Sequence, residues 1–203
     1  MRDDDPASLN DDFTRTFTVS SPPPPHRPRT DATFDITARR VGPVTRFLFT
    51  QQARHGFEVP VRGFGGDFHI AQKGDGVTPF IAGGVGITPV LAFLPTLDME
   101  KFQLFWTLRV EDVNLAVDTI ERYPKLAKAT RLFLTGAKEG QEVQGAEVLA
   151  KAGSAVAFRR LSREDVDKPE LGDVWHVCVG TALRKTLLEW LDGKEVIYED
   201  FNF

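Results

Sequence analysis

Residues 80–89 read Phe-Ile-Ala-Gly-Gly-Val-Gly-Ile-Thr-Pro. An apolar run over 77–82 enters a turn that holds three glycines, Gly83, Gly84 and Gly86. A helical pattern leaves that turn, with Thr88 placed to cap it and Pro89 in the first turn, where an N–H would have no partner anyway. The stretch predicts a strand, a tight turn and a helix N-terminus in direct succession. Backbone N–H groups and the positive end of a helix dipole converge in such a turn, which makes it a place for an anion the size of a pyrophosphate. Glycine lets the main chain come close to that anion, because no Cβ stands between them.

On the C-terminal side of the turn the pattern alternates between strand and helix. A strand over 78–82 leads to a helix over 89–97, a strand over 102–107 to a helix over 112–123, and a strand over 130–135 to a helix over 145–151. A strand over 174–179 leads to a helix over 183–191, and a last strand covers 196–198. Such alternation predicts a parallel sheet with helices on its faces. On the N-terminal side the signals are strand and loop. Strands are expected over 13–20, 34–41, 57–61 and 68–71, with a proline run at 22–25, a short helical turn over 44–49 and a glycine-rich loop at 63–66. The change of rhythm puts a boundary near 72–77.

The chain has 203 residues, enough for one ordinary domain or two small ones. Its 41% hydrophobic and 27% charged content is that of a globular protein. Net charge is −4 and no basic block stands out, which speaks against a nucleic-acid partner. The acidic stretch Asp3, Asp4, Asp5, Asp11 and Asp12 reads as a solvated tail, unlike the Arg-rich, acid-poor character of a mitochondrial targeting peptide. No run approaches about 18 uninterrupted apolar residues, so no membrane span is expected. Cys178 is the sole cysteine, so this chain alone closes no disulfide and holds no cysteine-ligated cluster. An intracellular, cytoplasmic setting is the default expectation, with the mitochondrion left open. His26, His55, His69 and His176 lack paired metal-ligand spacing, so no metal site is expected.

The ordinary dinucleotide fingerprint has glycine where this chain has Pro89, and the Walker lysine is absent. Gly83-Gly84-Val85-Gly86-Ile87-Thr88-Pro89 instead resembles the nicotinamide-nucleotide turn of the ferredoxin–NADP reductase family, which includes cytochrome b5 reductases, flavohaemoglobin reductase domains and oxygenase reductases. Five more stretches resemble that family's elements in their order. Arg15-Thr16-Phe17-Thr18 is similar to its flavin motif, with Phe17 in place of tyrosine, and Gly42-Pro43-Val44-Thr45 to its second flavin motif, with Thr45 in place of serine. Gly63-Phe64-Gly65-Gly66-Asp67-Phe68 resembles its domain-junction element, and Cys178 stands where its Cys-Gly-Pro begins, although Val179-Gly180 follows here. Glu199-Asp200-Phe201 resembles its terminal Glu-x-Phe.

The resemblance implies a two-domain α+β protein. A partial antiparallel β-barrel, the flavin domain, would occupy 1–75, and an α/β parallel-sheet nucleotide-binding domain would occupy 76–203. Because Arg15 stands so near the first residue, that barrel is expected to lack some of its strands. The implied cofactors are FAD and NAD(P)H. Arg15, Gly42, Val44 and Thr45 would bind the flavin diphosphate, Phe17 would pack on the flavin ring, and Thr18 would place a hydroxyl near flavin N5. Gly83, Gly84, Val85, Gly86 and Thr88 would hold the pyridine nucleotide. Cys178 would lie by the nicotinamide, and Phe201 or Phe203 would cover the flavin. Arg109 would lie near the adenosine ribose, where it suits a 2′-phosphate, but Glu111 and Asp112 beside it suit a free hydroxyl, so the sequence leans to NADH and leaves NADPH open. The implied activity is an NAD(P)H-dependent flavoprotein reductase that passes electrons through FAD to a haem, an iron–sulfur protein or a quinone. The alternative is a truncated or degenerate relative that binds a pyridine nucleotide, or a protein partner, without turnover.

Overall fold

The computed structural model describes residues 14–22, 33–51, 56–73, 76–138 and 140–199. Its centre is a parallel six-stranded sheet: β1 (Thr78–Gly83), β2 (Phe102–Arg109), β3 (Thr130–Thr135), β4 (Ala155–Ala157), β5 (Val174–Cys178) and β6 (Glu195–Tyr198). The strand order is β4-β3-β2-β1-β5-β6. From β1 the chain builds outward through β2, β3 and β4, then returns to the other side of β1 to add β5 and β6. The order therefore reverses between β1 and β5, and in an open α/β sheet that reversal opens a crevice at the carboxyl ends of the two strands.

The strand residues sort by parity, as the two-residue period of a strand requires. Phe80, Ala82, Leu104, Trp106, Leu132 and Leu134 join one core, with Val90 and Leu91 of α2 (Thr88–Phe93), Ala116 and Ile120 of α3 (Val113–Arg122) and Leu149 of α4 (Ala146–Lys151). Ile81, Phe105, Phe133, Trp175 and Val177 join the other, with Val166 of α5 (Arg163–Val166) and Leu187 of α6 (Thr181–Trp190). Register aligns like with like: Phe80 lies beside Leu104, and Ile81 beside Phe105 and Val177. Each large apolar side chain buried this way contributes about 1.5–3 kcal/mol.

The expected strands and helices after residue 76 are present, with ends shifted by a few residues. Two elements were not expected, β4 and α5. Both are short, and α5 is held by Asp165, whose carboxylate takes the Arg159 fork at 2.6 Å on each oxygen and the Ser162 N–H at 2.9 Å. Among the described residues no helix is long and apolar enough to cross a membrane.

The expected antiparallel barrel is corrected by the structure. Among the described residues before 76 there is no β-strand, only one isolated antiparallel bridge between Val19 and Ile36, and every strand of the sheet is parallel. The architecture is thus α/β, not α+β with a barrel. Alternating polarity marks a segment able to be a strand, but a ladder needs hydrogen-bonded neighbours, and 57–61 is exposed without them. Among the described residues before 76 the one regular element is α1 (Pro43–Thr50), which covers and extends the helical turn expected over 44–49.

The described N-terminal segments do touch the sheet unit. Phe68 packs edge-on against Phe80, and Ile70 is buried in the same core. Gln72 clasps the approach to β2: its side-chain amide donates to the Asp98 and Lys101 carbonyls at 3.0 and 3.1 Å and accepts the Asp98 N–H at 2.7 Å.

Candidate nucleotide site

The glycine turn lies at the carboxyl end of β1, beside the end of β5. It is a single 3-10 turn, Gly84–Ile87, that runs straight into α2. Thr88 is therefore buried inside the first helical turn and makes no capping bond, whereas the sequence expects it to cap. The glycines answer different demands. A Cβ on Gly86 would collide with the Cys178 carbonyl oxygen and come within 3.0 Å of the Cys178 Sγ. A Cβ on Gly83 would stand 3.3 Å from Val179. Gly84 adopts a left-handed φ of +56° and has no heavy atom within 4 Å of the Cβ position, so its backbone borders open space. Trp106, fully buried in β2, donates its indole N–H to the Gly84 carbonyl at 2.9 Å and fixes the orientation of that peptide.

Packed against the turn, Cys178 closes β5 with no exposed surface. Burial pushes its thiol above the usual range, and the charge of Glu199 adds to the rise, so the sulfur stays protonated. Glu199 follows β6, and its backbone N–H donates to the Val177 carbonyl at 3.2 Å. Burial raises the Glu199 carboxyl as well, against the smaller opposing effect of the Thr18 hydroxyl, which donates to Oε1 at 3.3 Å. Its other oxygen, Oε2, is buried and has no hydrogen-bond partner among the described residues. Thr18, Cys178 and Glu199 thus come together from three distant parts of the chain.

Arg15 and the start of α1 also meet. The Arg15 guanidinium lies 3.9 Å from where a Gly42 Cβ would stand. Gly42 is the N-cap of α1, an eight-residue helix with no acidic residue in its first turn. Thr45 is buried there, and its hydroxyl accepts from the Val41 and Gly42 N–H groups at 2.9 and 3.1 Å while donating to the Gly42 carbonyl. That hydroxyl shapes the cap instead of facing outward. Phe17 and Val44 are half-buried.

Arg109 sits at the end of β2 and pairs with Glu111, Nε to Oε2, at 3.7 Å. Asp112 pairs instead with Arg39 at 3.2 Å. Phe201, Phe203, His26 and His55 lie outside the described residues, as does the acidic tail. His176 is wholly buried between Phe68 and Phe80, and neither ring nitrogen has a hydrogen-bond partner among the described residues. Among the described residues no group of three or more metal-ligating side chains is gathered.

The sequence quotes Glu199 inside a motif but gives it no role; the signal that could have marked it is a carboxylate directly after an apolar edge strand. Nothing local in the sequence marks the bond from Trp106 to the turn. Neither a protein-family model nor a curated protein matches this chain.

Proposed function

We propose that this chain is a pyridine-nucleotide oxidoreductase of the flavin reductase type, in which NAD(P)H gives a hydride to FAD and the electrons leave to a haem, iron–sulfur or quinone acceptor. One observation carries the reading: Thr18 bonds Glu199, whose charge reaches Cys178, and Cys178 packs directly against a glycine turn whose backbone at Gly84 borders open space. Gly84 admits a pyrophosphate to the main chain, and Gly86 draws the end of β5 up to the turn. The orphaned Oε2 of Glu199 fits the N–H of a nicotinamide carboxamide, since a buried acceptor without a donor is costly. Thr18 orients Glu199 from the other side. Cys178, held as a neutral thiol, is a packing surface and not a nucleophile.

The residues fit the diphosphate of FAD at one place, where the Arg15 fork meets the N-terminus of α1. FAD, when bound, supplies the hydride acceptor and the route to single-electron transfer. The test is the spectrum of the purified protein. Flavin absorbance that bleaches with NAD(P)H under anaerobic conditions is the expected result. A colourless protein that takes up no added FAD refutes the flavin reading.

A second reading, nucleotide binding without turnover, is favoured by one specific finding. Nine large apolar side chains between Phe34 and Phe64 are exposed, and no barrel encloses a ring among the described residues. Under that reading the nucleotide raises the melting temperature and no flavin is reduced.

A further inference from the structure

A cleft of about 350 Å³ opens between the Val19–Ile36 bridge and α3. One wall is the bridge segment, with Phe34, Asp35 and Ile36, and the other is α3, with Leu115, Asp118 and Arg122. Small-molecule pockets commonly run to roughly 300–1,000 Å³, so this cleft suits a single ring with a short arm. It is separate from the nucleotide crevice, because none of the residues read above as nucleotide or flavin ligands lines it.

The apolar and the charged parts of the lining call for the same kind of ligand. Phe34 and Ile36 are 44% and 40% exposed, and an apolar body laid against them removes that surface from water. Arg122 is the one cation among the described lining residues, and Asp118, four positions before it on α3, takes its Nε at 3.5 Å. The Thr37 and Ser20 hydroxyls bond each other at 3.0 Å. Asp35 is held only through its main chain. Its N–H donates to the Ser21 hydroxyl at 2.9 Å and its carbonyl accepts the Ser20 N–H at 2.8 Å. Its carboxylate has no hydrogen bond or ion pair among the described residues.

We propose that this cleft binds an organic ammonium ion with an apolar body: Asp35 pairs with the charge, and Phe34, Ile36 and Leu115 cover the body. An anion is disfavoured, because two carboxylates line the cleft and its guanidinium is already paired. A ligand held there touches both walls, so it ties the bridge segment to α3 and stabilises the folded chain by mass action.

Equilibrium titration of the full chain with 2-phenylethylamine, 2-phenylethanol and phenylacetate tests this, since the three share a ring and differ in charge. The amine is expected to bind at least about fivefold more tightly than the alcohol, the scale of one ion pair in a water-exposed site, and the acid is expected not to bind. Asp35→Asn, at an exposed position, is expected to bring amine and alcohol to within about twofold of each other. Asp192→Asn, exposed and outside the cleft, controls for the negative charge of the whole chain and is expected to change neither affinity. Equal binding of amine and alcohol, or tighter binding of the acid, overturns the choice of a cation. A preference for the amine that survives Asp35→Asn overturns the role of Asp35. A preference lost equally in Asp192→Asn is long-range attraction and overturns the site. Failure of all three probes to bind overturns the cleft as a ligand site and leaves the nucleotide reading untouched.

Discussion

Residues 76–199 and residues 33–69 both carry apolar side chains at regular spacing, and they meet opposite fates. In β1 the stretch from Thr78 to Ala82 is buried on both faces, because β2 and β5 flank it and helices cover the sheet above and below. Across the described part of 33–69 the only buried residue is Thr45, and Phe64 is 74% exposed. What separates the two is the supply of partners. A central parallel strand recruits neighbours on each side from a chain that keeps returning to the same sheet. Among the described residues of 33–69 the only ladder is the Val19–Ile36 bridge, which does not cover the alternate side chains.

The contrast can be broken most sharply with alanines. Gly86→Ala forces a methyl onto the Cys178 carbonyl, so β5 and the turn must part. The expected loss is at least about 3 kcal/mol by denaturant unfolding. Gly65→Ala meets nothing within 4 Å and is expected to stay within about 0.5 kcal/mol of wild type. Equal effects at the two sites would mean that the regions do not differ as described. A smaller test uses side chains already present. Ile70→Ala removes a buried residue of the main core and is expected to cost about 2–3 kcal/mol, whereas Phe64→Ala is expected to be near neutral. Comparable losses would place Phe64 in a core.

The smallest effects lie in the response to acid. Burial lowers the pKa of His176 below 6.5, against the weaker pull of the Pro79 carbonyl, so the folded state binds fewer protons than the unfolded one. Stability therefore falls as pH drops below 6.5 and levels off beneath the folded pKa. The Arg159 fork holds Asp165 at about 2, so its contribution is full above 3.8 and lost as pH falls to about 2. Glu199 runs the other way: its raised pKa means stability is lost as pH rises above 4.5, toward the folded value. His176→Leu is expected to abolish the loss that starts near pH 6.5 and to leave that of Asp165. Its change in stability at neutral pH is expected to be under about 1.5 kcal/mol, since a buried ring whose only polar neighbour among the described residues is the weakly placed Pro79 carbonyl is exchanged for an apolar group of similar size. An unchanged acid profile would show that His176 is not the group responsible.

How much was legible follows the same division. The strand pattern around 77–82 and its repeats at 102–107, 130–135 and 174–179 predict the sheet, because burial on both faces leaves a continuous apolar run. The glycines mark the turn, but only the structure separates Gly86, required by a neighbouring backbone, from Gly84, required by its φ and by open space. The alternation over 34–41 and 57–61 misleads, since sequence reports that a segment suits a sheet and says nothing of whether a partner strand is near. Thr18 and Glu199 stand 181 positions apart, so their pairing emerges only once β6 closes the edge of the sheet. Nothing local in the sequence shows that Glu142 and Gln144, in the loop after β3, fold beside the loop after β2.

The close approach of Gly86 to Cys178 also bears on how this site can drift over generations. The partner of Gly86 is a carbonyl oxygen, which every residue type carries. The contact with the main chain at 178 therefore keeps position 86 fixed whatever side chain stands there. Methods that find contacts from correlated changes between positions would pass over this one, although it is among the tightest in the crevice. The geometry of the turn is held by a residue with no side chain facing the main chain of another.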